Sequence, residues 1–176
     1  MLCLLLLPSC SELGTSVLVE GTWSQPECEL GEVTWRPTFA TWTRNVQGTA
    51  VMRIQTDAGP LDGDDHVVIA FRDPASIPGR VGEPIRIGPR ELGDSAFGTL
   101  NFHERCPDAR RSSSELIGTL VFEEFTGKLE SDVRGHADVM ARDARDPDLV
   151  YSEEIRIEFA FRIRRFPPYQ PFNAGF

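Results

Sequence analysis

Lysine is almost absent from this chain. Lys128 is the only one, and 18 basic side chains stand against 27 acidic ones. The resulting formal charge of −9 excludes a phosphate backbone or an anionic lipid surface as the main partner, because like charges repel across any broad interface. The one adjacent basic pair, Arg164-Arg165, is too small to offset this. Long apolar runs are missing too: residues 2–7 fall far below the roughly 20 residues that a spanning helix needs. No window carries an i, i+3, i+4, i+7 stripe, so little helix is expected. The usual signatures of site chemistry are likewise scarce. There is no Gly-x-Ser-x-Gly elbow for a serine nucleophile, and no HxH, HExxH or CxxC spacing for zinc. Only three histidines occur, His66, His103 and His136, each in or beside a strand pattern. Alternation with Leu100 and Phe102 turns His103 toward solvent. No cofactor is implied.

What is present describes one globular domain. Its 176 residues are 40% hydrophobic, with 15 Gly and 13 Pro, and a chain of this size hides roughly 70% of its unfolded surface without help from a metal. Short apolar alternations recur between Gly, Pro and Asp punctuation. They begin at Val33 and Trp35, followed by 39–46, then Ala50, Met52 and Ile54 on one face, with a hairpin turn predicted at Gln47-Gly48-Thr49. Val67, Ile69 and Phe71 alternate with Val68 and Ala70, which predicts a central strand buried on both faces. Ile85 and Ile87 mark a short strand that Pro84 and Pro89 assign to a sheet edge. Gly98, Leu100 and Phe102 share a face of the next, ahead of a polar loop at 106–114. A strand over 116–125 turns at Thr126-Gly127-Lys128 into 129–141. Finally Ile155, Ile157, Phe159, Phe161 and Ile163 alternate without a fault against Arg156, Glu158, Ala160, Arg162 and Arg164. The fold class expected is all-β, an antiparallel β-sandwich or closed barrel of about 8–10 strands.

The first residues, Met1-Leu2-Cys3-Leu4-Leu5-Leu6-Leu7-Pro8-Ser9-Cys10, carry a more specific pattern. Leu7, Pro8, Ser9 and Cys10 resemble the lipobox that ends a bacterial lipoprotein signal. That resemblance implies a protease cut after Ser9 and a diacylglycerol on the Cys10 thiol. Residues 1–9 are then the end of a signal segment, truncated, since it has no basic start and about half the usual apolar length. Residues 10–20 read as lipidated cysteine and tether, 21–166 as a single β domain, and 167–176 as an extended Pro- and aromatic-rich tail. Together with Gly118-Thr119-Leu120-Val121-Phe122-Glu123-Glu124-Phe125, the Gly135 strand and Phe159-Ala160-Phe161, the start resembles small exported lipoproteins of the Gram-negative envelope, of the myxobacterial type. The implied location is the outer membrane, on its periplasmic or surface face, because Ser11 replaces the Asp that favours inner-membrane retention.

With Cys3 removed and Cys10 lipidated, Cys28 and Cys106 remain. In an oxidising compartment two leftover cysteines pair; the alternative is two buried free thiols. A second resemblance is Gly21-Thr22-Trp23, which is similar to the Gly-x-Trp that opens lipocalins and implies an apolar-ligand carrier. Candidate chemistry is limited to acidic loops. Asp57, Asp62, Asp64 and Asp65 sit in a Gly- and Pro-containing segment of the kind a calcium ion prefers, although solvated hairpin tips look the same. Asp143, Asp146 and Asp148 form a smaller set. The reading is therefore a lipid-anchored binding or structural module rather than an enzyme. The membrane is reached through the anchor, with an envelope protein or a glycan as candidate partner. The alternatives are a lipocalin-like carrier and a carbohydrate-directed enzyme.

Overall fold

The computed structural model describes residues 14–44, 48–57, 64–109 and 114–164. The signal segment, Cys10, Asp62 and the tail 167–176 lie outside the described residues. Ten strands carry the chain: β1 (Ser16–Gln25), β2 (Cys28–Trp35), β3 (Phe39–Arg44), β4 (Ala50–Gln55), β5 (Asp65–Phe71), β6 (Pro84–Ile87), β7 (Ala96–Phe102), β8 (Ser114–Glu124), β9 (Asp132–Asp143) and β10 (Val150–Arg162). Short 3-10 turns occur at Ile77–Arg80, Arg90–Leu92 and Pro107–Ala109. The strands form one mixed sheet in the order β2-β1-β10-β9-β8-β6-β7-β5-β4-β3, curled into a half-barrel.

The all-β class is as expected, and the strongest alternation places its side chains as predicted. Ile155, Ile157, Phe159 and Phe161 are buried, while Glu158 is exposed and Arg156, Ala160 and Arg162 are half-buried. β10 pairs antiparallel with β1 on one side and β9 on the other. All seven residues of β5 are buried, matching its apolar residues on both faces. Core side chains fill the concave side. Trp42 lies 5.1 Å from Phe71 and 4.8 Å from Phe125 between ring centroids, and Phe122 continues the stack to Phe159 at 5.8 Å. At the other end Trp23 meets Phe102 edge-on at 4.9 Å and Tyr151 at 5.4 Å. Gly135 pairs with Phe122 on β8 and Phe159 on β10. A Cβ there would stand 2.2 Å from the Val121 carbonyl oxygen and 2.8 Å from the Phe159 ring, so glycine lets the two phenyl groups close over the backbone.

Three expectations are corrected. First, β6 is not an edge: it lies between β8 and β7. Pro84 opens the four-residue strand and Pro89 falls beyond it, so neither interrupts the ladder to β8. Toward β7 there is a single parallel bridge, Ile87↔Ala96, which also makes the sheet mixed rather than wholly antiparallel. Second, the tether does not run to residue 20. β1 starts at Ser16, and Val17 and Val19 are buried because they alternate with Leu18 and Glu20 along β10. The domain therefore begins at least five residues earlier than 21. Third, His103 is half-buried rather than turned to solvent. Its strand ends at Phe102, so alternation no longer sets its direction.

Beyond the reach of the short β6, a side chain links β7 to β8. The buried Ser114 hydroxyl accepts from Leu100 N–H at 2.9 Å and donates to the Leu100 carbonyl. Ser114→Ala strands both groups of Leu100 and is expected to cost about 2 kcal/mol. Urea unfolding of the variant checks it.

Candidate functional site

Cys28 opens β2 and Cys106 follows the turn after β7. The two are joined as a disulfide, with Cα atoms 5.6 Å apart and a sequence separation of 78. Both sit at element ends, where the bridge distorts no ladder. It fastens the β1–β2 hairpin to the end of the sheet where Trp23, Trp35 and Phe102 pack.

The acidic residues are placed less simply than a solvated tip. Asp65 belongs to β5 and is 1% exposed. Its Oδ1 accepts from the amides of Glu104 at 2.9 Å and Arg105 at 3.3 Å, and its Oδ2 lies 3.2 Å from the Arg105 guanidinium. Burial pushes its carboxyl upward against the pull of those donors. Asp64 is raised too, by burial and by the Asp57 and Glu104 charges, and its Oδ2 is 3.5 Å from Gln55 Nε2. The Asp57 carbonyl accepts from that same Gln55. Asp65 is thus spent on holding the turn after β7. Among the described residues no three His, Cys, Asp or Glu side chains converge as a metal site. His66 places Nδ1 2.9 Å from the Asp64 carbonyl and Nε2 3.2 Å from Asn101, with its ring 5.1 Å from that of His103.

Asp143, Asp146 and Asp148 shape the β9–β10 turn. Asp143 Oδ1 accepts from the amides of Arg145 at 2.6 Å and Asp146 at 3.1 Å, and the Tyr151 hydroxyl donates to its Oδ2. Asp146 in turn accepts from the Asp148 amide. Burial alone would raise the Asp143 carboxyl, but the Tyr151, Arg145 and Asp146 donors outweigh it and hold it at about 2. In the unfolded chain the group titrates near 3.9. Its contribution to stability is therefore present above that value and lost as pH falls toward about 2. Asp143→Asn should remove this acid limb, so that wild type and variant converge in stability on going from pH 4 to pH 2, measured by urea unfolding.

A different arrangement lies on the convex face. Register fixes cross-strand rows of outward side chains: Arg134–Ala160–Ser16, His136–Glu158–Leu18 and Asp138–Arg156–Glu20. Arg156 is clamped, with Nη1 2.7 and 2.6 Å from the two Asp138 oxygens and Nε 3.4 Å from Glu158. His136 Nδ1 is 3.0 Å from Glu123. Ser16 and Ala160 are small, and above them an open depression of about 330 Å³ is lined by Leu18, Arg36, Arg134, Glu123 and Glu158 as well. Neither Arg36 nor Arg134 forms an ion pair among the described residues. Of these groups the sequence names Glu123, Arg156, Glu158 and Ala160 only as strand residues, and His136 only as a histidine without zinc spacing around it. The outward parity of β9 and β10 was readable, but the register that makes Arg134 and Ala160 neighbours was not.

No family model, curated protein or solved structure matches the chain.

Proposed function

We propose that the chain is a lipid-anchored β domain of the Gram-negative envelope that works as a binding or structural module through its outer surface. The observation that carries this reading is the filled concave side of the sheet. Trp42, Phe71, Phe122 and Phe161 are all at most 5% exposed, so among the described residues packed aromatic side chains occupy the space a lumen would take. A carrier of apolar ligands needs such a lumen. Trp23 of the lipocalin-like Gly21-Thr22-Trp23 is 1% exposed and spends its indole N–H on Gln25 at 2.9 Å, the behaviour of a core residue.

The order of strands supports a finer reading of the architecture as a barrel with one unbonded seam. The two ends of the sheet, β2 and β3, are consecutive in the chain, so joining them would close the order into a ring. The Cys28–Cys106 bridge agrees with an oxidising compartment, and the lipobox with an anchor at Cys10. The net charge of −9 argues for partners other than nucleic acid.

The anchor is tested by metabolic labelling of cells expressing the gene with a fatty-acid analogue. The wild type should be labelled and sediment with outer membranes, and Cys10→Ala should be unlabelled and released. An unlabelled wild type would sink the anchored reading.

A further inference from the structure

We propose that the depression over β9, β10 and β1 binds an acidic sugar of the uronate type, a ligand with one carboxylate and several hydroxyls. The first pointer is the state of its arginines. Seven of the fourteen described arginines reach a carboxylate of a described residue, Arg156 at this very site with two. Arg36 and Arg134 do not, yet both line one depression. They stand on opposite sides of it: Arg134 is on β9, and Arg36 directly follows β2, three strand spacings across and two residues along, or about 16 Å away. That is a span two arginine side chains can close over a single carboxylate, for which the guanidinium fork is shaped.

The rest of the lining selects among anions. Glu123 and Glu158 face the same space. They penalise a compact, doubly charged phosphate but accept hydrogen bonds from hydroxyl groups. His136 is held by Glu123 at 3.0 Å and adds a polar ring beside them. Leu18 and Ala160 offer a small apolar floor against which the C–H face of a pyranose ring packs. A volume of about 330 Å³ suits one sugar unit, and the open mouth suits either a free monosaccharide or a residue within a chain.

This deepens the binding-module reading but does not need the lipid anchor, so the two fail separately: fatty-acid labelling of Cys10 without uronate binding removes only the present assignment. The full chain, isotopically labelled, is titrated with glucuronate, glucose and inorganic phosphate and followed by amide NMR. Saturable shifts confined to β1, β9, β10 and the neighbourhood of Arg36 and Glu123 are expected with glucuronate, with binding at least tenfold weaker for glucose and for phosphate. Arg134→Gln and Arg36→Gln should each weaken glucuronate by roughly tenfold, the loss of one charge-assisted contact. Both side chains are exposed and in no ion pair among the described residues, Arg134 acting on Asp132 only through the longer-range attraction of its charge, so the variants should keep the wild-type melting temperature. An oligouronate that binds more tightly than the monomer identifies a glycan as the source, equal affinity a free sugar, and both support the site. Three results overturn it: no saturable response, phosphate binding as tightly as glucuronate, or variants that bind like wild type.

Discussion

Phe161→Ala is expected to lower the free energy of unfolding by about 3–5 kcal/mol, whereas Arg162→Ala, one residue on, should change it little. Phe161 is fully buried, inward on β10 opposite Val133 of β9, with its ring 6.3 Å from that of Phe159. The residue is paired across to β9 and its ring belongs to the buried aromatic core, so its loss leaves a cavity that the surrounding side chains fill poorly. Arg162 points the other way. Its Nε lies 2.9 Å from Asp132 at a half-exposed site, and such pairs contribute little beyond solvation. Denaturant unfolding of both variants reads the difference. Equal losses at 161 and 162 would mean that the inward face of β10 has been assigned wrongly.

How far the fold was readable follows from how local each signal is. β10 declares itself because nine consecutive residues alternate without exception, and a strand with one buried face has no other way to present that pattern. The start of β1 was concealed: Gly14, Thr15 and Ser16 resemble linker, and only Val17 and Val19 face the core before Gly21 breaks the pattern. The place of β6 was misread because the edge preference of proline is a rule about missing amides. It does not apply when the prolines sit at or outside the ends of a four-residue strand. Sheet order is set by long-range pairing, and no window of sequence contains it. The same limit hid the depression on the convex face. Most of its residues are plain outward positions in alternating strands, and they become a group only through the pairing of β8, β9, β10, β1 and β2.

Breaking the Cys28–Cys106 bridge is the second change expected to have a large effect, and on it the export and fold arguments meet. The double variant Cys28→Ser, Cys106→Ser should lose about 4 kcal/mol, the chain-entropy value for so long a closed loop. The loss should fall on one end of the molecule first. There the bridge ties the β1–β2 hairpin to the turn that Asp65 holds through the Glu104 and Arg105 amides, and β2 is an end strand bonded on one side only, to β1. Hydrogen exchange should therefore speed up in β2 and around residues 103–109 before β8, β9 or β10 respond, because those strands have partners on both sides. Non-reducing peptide mapping of the protein purified without reductant gives the prior check. A peptide crosslinked between residues 28 and 106 is expected, and alkylation of both thiols after denaturation without reductant would remove the bridge together with its support for an oxidising compartment.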